Sequence, residues 1–123
     1  MGANLLNSWL PVLSWAGLIF YFSSIPGLKT NLGVWDIVLR KLAHIFEFAV
    51  FTGLLQRALN RTWPGMRPTK QMLWIGLIAL IYALSDEFHQ SFVPTRGPSM
   101  VDVLIDGIGI LGWLFIFHEK QSV

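Results

Sequence analysis

Three ionisable side chains lie three residues apart in the first polar stretch of this sequence. Lys41, His44 and Glu47 therefore share one broad face of a helix. A histidine beside a carboxylate can act as a general acid or base, and the same nitrogen and oxygen atoms can bind a metal ion. The lysine adds an ammonium group whose N–H donors suit an anion.

A second polar stretch also places a histidine near carboxylates. Asp86, His89 and Gln90 lie at i, i+3 and i+4, which predicts a tight cluster on one helical face. Glu87 is rotated from Asp86 by about 100° around the helix. The spacing leaves open whether Glu87 faces the same side.

A third stretch carries two acids one turn apart, Asp102 and Asp106, with Gly109 on the same stripe. A glycine there lets a neighbouring helix approach closely, just below the acids. The S-x-x-D spacing that ends at Asp102 fits a capping box, which favours a structural role for this acid. Asp36 has a similar structural interpretation, either as an N-cap or as an i,i+4 partner of Arg40.

The elements that position these residues are four apolar stretches. The chain is 54% apolar and only 13% charged, whereas soluble domains carry about 25% charged residues. Crossing the ~30 Å hydrocarbon core takes ~20 helical residues. We therefore predict an all-α fold, a single-domain integral membrane four-helix bundle. Its helices cover about residues 5–22, 37–59, 71–91 and 101–117.

The direction of the helices follows from the lysines and arginines in short loops. The second loop and its flanks hold four of them: Arg57, Arg61, Arg67 and Lys70. This predicts that the second loop and both termini are cytoplasmic. The polar stretches then meet at the outer end of the bundle.

Charged groups inside membrane helices are costly unless paired or hydrated, so a cluster of them indicates a site or a network. One hypothesis is an anionic-headgroup site that uses Lys41, Arg40 and Arg96. A second is acid–base catalysis by His44, Asp86 or His89, although no nucleophile motif accompanies them. A third is a divalent metal site, for which the first candidate ligands are His44, Glu47, Asp86 and His89. The wider set of possible nitrogen and oxygen ligands also includes Glu87, Asp102 and Asp106.

A fourth hypothesis is a salt-bridge network that locks the bundle without any ligand, as in a non-catalytic scaffold. Other classes of function have less support. The sequence has no cysteine, which excludes disulfides and thiolate sites, and its small net charge of +2 includes no basic run typical of nucleic-acid binding. No nucleic-acid partner is therefore expected.

Two motifs together resemble those of the VanZ-like family. Residues 41–48 read KLAHIFEF, and residues 85–96 read SDEFHQSFVPTR, followed by Ser99, Asp102 and Asp106-Gly107-x-Gly109. The resemblance covers roughly residues 24–112. This chain departs from the family pattern at Thr95, where glycine is frequent, and at Phe48, where tyrosine is frequent.

The resemblance implies a multi-pass protein of the bacterial cytoplasmic membrane. The family is named for an accessory protein of glycopeptide-resistance gene clusters, associated with teicoplanin resistance. It therefore implies membrane lipids as partners, together with a lipid-linked wall precursor or a glycopeptide, and it leaves enzymatic activity and oligomerisation open. From the residues and the resemblance together we predict ligand binding by Lys41, His44, Glu47, Asp86, Glu87, His89, Gln90, Arg96, Asp102 and Asp106.

Overall fold

The computed structural model describes residues 2–24, 33–93 and 100–121, with side chains over residues 5–24, 33–93 and 100–116. It contains four α-helices: α1 (Gly2–Ser23), α2 (Val34–Thr62), α3 (Pro68–Gln90) and α4 (Met100–Gln121). The predicted all-α, four-helix fold is confirmed, since the described residues include no strand. Each helix is longer than its predicted span, because the spans follow apolar residues whereas polar residues at the ends are also helical.

Hydrogen bonds between helices fix their directions. Trp9 Nε1 donates to Thr62 Oγ1 and Trp15 Nε1 donates to the carbonyl of Glu47, both over 2.8 Å. Higher numbers on α1 thus meet lower numbers on α2, so the two helices are antiparallel. The short connection from α2 to α3 makes those two antiparallel as well. Two ends of the bundle result: one holds the start of α1 and the α2–α3 loop, and the other holds the start of α2 and the end of α3.

The apolar core lies around α2. Aromatic and aliphatic side chains of α2 share this core with the small residues Ala79 and Ala83 of α3. The buried core residues are Val12, Ile19, Phe48, Phe51, Leu55, Ala58, Leu59, Ile75, Ala79, Ala83, Ile110 and Leu114.

The helices α2 and α4 approach each other closely at Gly109. A Cβ added to Gly109 would collide with the backbone carbonyl of Ile45 and lie 3.1 Å from the backbone nitrogen of Ala49. The predicted role of Gly109 in helix packing is confirmed. Nearer the start of both helices, this close contact holds Lys41 and His44 of α2 within hydrogen-bond distance of side chains of α4.

The outer surface of the bundle is apolar around all four helices. Large side chains that face away from the core, such as Leu13, Leu73, Leu111 and Phe115, are exposed. An apolar patch of this extent is unusual on a soluble monomer and is typical of a surface that lipid or a partner covers. The sequence predicts four membrane spans, whereas by length and composition two segments of the described residues are able to cross a membrane, Leu5–Ser23 and Pro68–Gln90.

Pro11 lies inside α1 and removes one backbone hydrogen bond of that helix. Its missing N–H would donate to the carbonyl of Asn7. Arg57 Nη1 donates to this same carbonyl over 3.2 Å. The guanidinium of Arg57 on α2 therefore replaces the N–H donor that Pro11 lacks.

This replacement predicts an energetic coupling between Pro11 and Arg57. Arg57→Leu should lower the free energy of unfolding by about 1 kcal/mol, the net contribution of one hydrogen bond. In a Pro11→Ala background the backbone N–H returns, so the same substitution should have almost no effect. Equilibrium unfolding of the four proteins in detergent micelles measures the coupling. An equal loss in both backgrounds would contradict it.

Candidate functional site

Polar side chains from all four helices meet at one end of the bundle, which we call the polar end. This end comprises the last residues of α1, the first turns of α2 and α4, and the last turn of α3. Its residues are Ser23, Ser24, Asp36, Arg40, Lys41, His44, Asp86, Glu87, His89, Gln90, Asp102 and Asp106.

Two contacts between a base and a carboxylate join α2 to α4, and the second is an ion pair when His44 is protonated. Lys41 Nζ contacts Asp102 Oδ1, and His44 Nδ1 lies 2.8 Å from Asp106 Oδ1. The helices run in the same direction, so a step of one turn along α2 matches a step of one turn along α4. The pairing therefore depends on the register that Gly109 allows.

A third ion pair lies within α2, where Arg40 Nε is 3.0 Å from Asp36 Oδ2. The helix begins after Gly33, with no side-chain hydrogen bond at its cap. Of the two structural roles predicted for Asp36, the structure has the i,i+4 partner.

The base is the more exposed partner in all three ion pairs. The side chains of Arg40, Lys41 and His44 are 45%, 39% and 17% exposed, whereas those of their carboxylate partners are 8%, 15% and 0% exposed. Because each carboxylate lies beneath its base, the described surface of α2 at the polar end presents cationic or N–H donor groups.

The end of α1 is tied to the end of α3. Ser23 Oγ donates to Asp86 Oδ1 over 2.5 Å, and Gln90 Nε2 donates to Ser23 Oγ over 3.3 Å. Ser24 Oγ lies 3.4 Å from His89 Nε2. The two serines were missed in the sequence prediction, although they end the first apolar stretch at the level where the polar residues begin.

His89 packs on α1, whereas His44 bonds to α4. The imidazole of His89 stacks on Phe20, with ring centroids 4.1 Å apart and planes inclined by 13°. The predicted cluster of Asp86, His89 and Gln90 is thus present on one side of α3, and all three contact the end of α1. The two candidate catalytic histidines have different neighbours.

Three carboxylates converge between α3 and α4. One oxygen from each of Asp86, Glu87 and Asp106 lies within 4.8 Å of the other two, and all three residues are buried. The question left open for Glu87 is answered: it points inward. Although Asp86 and Glu87 are about 100° apart on α3, both fall in the buried part of a helix that has neighbours on several sides.

The predicted metal ligands are only partly grouped. Of His44, Glu47, Asp86 and His89, only Asp86 belongs to the carboxylate group described above. Glu47 is half-buried and one turn further from the polar end than His44, and its carbonyl accepts the hydrogen bond of Trp15. Glu87 and Asp106 belong to the wider predicted ligand set, and the register of α3 against α4 brings both beside Asp86.

Two expectations fall on residues outside the described ranges. Arg96 lies there, and so does Ser99, the first residue of the proposed capping box. The described contact of Asp102 is to Lys41, so this acid joins two helices. The capping box remains a prediction.

Comparison with known proteins identifies the family. The family model described as VanZ/LLP1 matches residues 8–119, which includes all the polar-end residues. Searches of curated proteins and of solved structures found no match to this chain. The match spans the four helices and both motifs, and the predicted family is confirmed. The chain belongs to the VanZ/LLP1 family.

Proposed function

We propose that this chain is a multi-pass protein of the bacterial cytoplasmic membrane that binds an anionic headgroup at its polar end. The headgroup belongs to a membrane lipid or to a lipid-linked wall precursor. The observation that carries the proposal is the order of exposure in the three ion pairs of α2, where Arg40, Lys41 and His44 lie outside their carboxylate partners.

A base held from beneath by a carboxylate presents its remaining donors outward. The ammonium group of Lys41 has three N–H donors, and Asp102 accepts one of them. The carboxylate fixes the direction of the lysine side chain and reduces the entropy lost when an anion binds. The starts of α2 and α4 lie at the same end and add the partial positive charge of helix N-termini.

The apolar surface of the bundle supports the same proposal. When the four helices lie in lipid, the polar end falls at the depth of the headgroups, where phosphate is available. The arginines near the α2–α3 loop orient that loop and both termini towards the cytoplasm. The polar end then faces the outer leaflet, where bound wall precursor would be less accessible to a glycopeptide such as teicoplanin.

Lys41→Gln tests the headgroup proposal. A charge-assisted hydrogen bond contributes about 1.5–3 kcal/mol, so affinity for phosphatidylglycerol should fall by about tenfold or more. Binding is measured by titrating nanodisc-embedded protein of phosphatidylcholine composition with short-chain phosphatidylglycerol. Lys70→Gln is the matched control, since Lys70 is an exposed lysine at the opposite end, and it should change the affinity by less than about twofold.

Two results would reject the proposal. One is equal affinity in the wild type and in Lys41→Gln, which would leave the ion pairs as a network that stabilises the bundle. The other is an equal loss of phosphatidylglycerol affinity in Lys41→Gln and Lys70→Gln, which would mean that only the net charge of the protein matters.

A second candidate function, an acid–base enzyme acting on a lipid-linked substrate, is favoured by the pair of His44 and Asp106. The carboxylate contacts Nδ1 over 2.8 Å, and this orientation leaves Nε2 available for proton transfer. Incubating the protein with vesicles that contain a polyprenyl diphosphate, and measuring released phosphate, tests this function. Phosphate release that His44→Gln abolishes while its circular-dichroism spectrum stays that of the wild type would support this function, and no release by the wild type would reject it for this substrate.

A further inference from the structure

We propose that Asp86, Glu87 and Asp106 bind a divalent cation that prefers oxygen ligands, such as Mg²⁺, Mn²⁺ or Ca²⁺. This site is separate from the bases of α2, and it does not depend on the headgroup proposal.

The spacing of the three carboxylates fits one ion. Their oxygens lie within 4.8 Å of one another. Oxygen ligands bind Mg²⁺ at about 2.0–2.1 Å and Ca²⁺ at about 2.3–2.6 Å, so two ligands on opposite sides of such an ion are about 4–5 Å apart. The three side chains therefore reach a common ion without a change of helix position.

Asp106 provides an independent observation. Its side chain is 0% exposed, and its Oδ1 accepts the contact of His44 Nδ1. Its other oxygen, Oδ2, is buried and has no hydrogen-bond partner among the described residues. Buried polar atoms nearly always have a partner, and a carboxylate oxygen beside two further carboxylates has the right charge and position to ligate a cation.

The neighbours of the group favour this role. His44 holds one oxygen of Asp106 and fixes the plane of the carboxylate, as partners of metal ligands do. The three ligands are all carboxylate oxygens, a donor set that suits hard cations better than zinc, whose sites usually include nitrogen or sulfur ligands. Bound to both α3 and α4, the ion would join the end of one helix to the first half of the other.

Titration with Mn²⁺ tests the site directly. The full chain is purified in phosphatidylcholine nanodiscs, stripped with a chelator, and titrated with Mn²⁺ while free ion is measured by electron paramagnetic resonance. Zwitterionic lipid keeps anionic headgroups from binding the ion. We expect one ion per chain, displaced by Mg²⁺ or Ca²⁺. Loss of a metal ligand's partner alone lowers affinity by about 10–100-fold, so Asp106→Asn and Glu87→Gln should each weaken binding by at least about tenfold.

Asp102→Asn is the matched control, because Asp102 is an acid of α4 at the polar end that lies outside the carboxylate group. Its affinity for Mn²⁺ should stay within about twofold of the wild type. If Asp106→Asn does not fold, Glu87→Gln with a wild-type circular-dichroism spectrum decides. Substoichiometric Mn²⁺ in the folded wild type, or equal losses in Glu87→Gln and Asp102→Asn, would overturn the proposal. Lys41-dependent binding of phosphatidylglycerol would then be unaffected, so failure here is distinguishable from failure of the headgroup proposal.

Discussion

His44→Ala is expected to lower the free energy of unfolding by about 3–5 kcal/mol, because it leaves a buried carboxylate without its ion-pair partner. The carboxylate of Asp106 is 0% exposed, and His44 Nδ1 is 2.8 Å from its Oδ1. The loss therefore includes the cost of desolvating Asp106 as well as the lost attraction.

The measurement is equilibrium unfolding in detergent micelles, in metal-free buffer. Asp106→Asn added to His44→Ala should recover part of the loss, since the neutral amide is easier to bury than the carboxylate. Arg40→Ala is the matched control one turn earlier on α2. Its base is half-exposed and its carboxylate partner keeps 8% exposure, against 0% for Asp106, so its loss should be smaller than that of His44→Ala. Equal losses in His44→Ala and Arg40→Ala would contradict the prediction.

The contrast between these pairs separates two roles at the polar end. The pair of His44 and Asp106 is deep, and we expect it mainly to stabilise the contact of α2 with α4. Lys41 and Arg40 are half-exposed, so they are able to meet a ligand at a small cost in stability. A variant at Lys41 is therefore the better test of binding, whereas a variant at His44 reports mainly on folding.

The sequence predicts the four helices well because their signal is local. Three of the apolar stretches exceed ten residues, the second is interrupted by Arg40, Lys41, His44 and Glu47, and Pro- and Gly-containing loops separate all four. Helical spacing likewise places Lys41 and His44 on one face, and both face α4 in the structure. Each of these inferences depends only on residues within one turn or one helix.

The pairings between helices are not predictable in the same way. Lys41 with Asp102 and His44 with Asp106 are separated by about sixty residues of sequence, and their pairing depends on the register of α2 against α4. The inward direction of Glu87 depends on which helices surround α3. Ser23 directly follows the first predicted span, and only its hydrogen bond to Asp86 gives it a place in the site.

Gly109→Ala is expected to lower the free energy of unfolding by about 3 kcal/mol, at the upper end of what overpacking usually costs. The added Cβ would collide with the carbonyl of Ile45, which is backbone and unable to rotate away. Relief requires α2 and α4 to separate. Separation would also lengthen the contact between His44 and Asp106, so the two losses are coupled.

Gly112→Ala is the control, and it should change the free energy of unfolding in the opposite direction. Gly112 is on the same helix, and a Cβ there would meet nothing within 4 Å. Alanine favours a helix over glycine by about 0.5–1 kcal/mol, so this variant should be slightly more stable than the wild type. Unfolding of both variants in detergent micelles gives the comparison. If Gly109→Ala is as stable as Gly112→Ala, α2 and α4 do not approach as closely as described, and the register that pairs Lys41 with Asp102 is wrong as well.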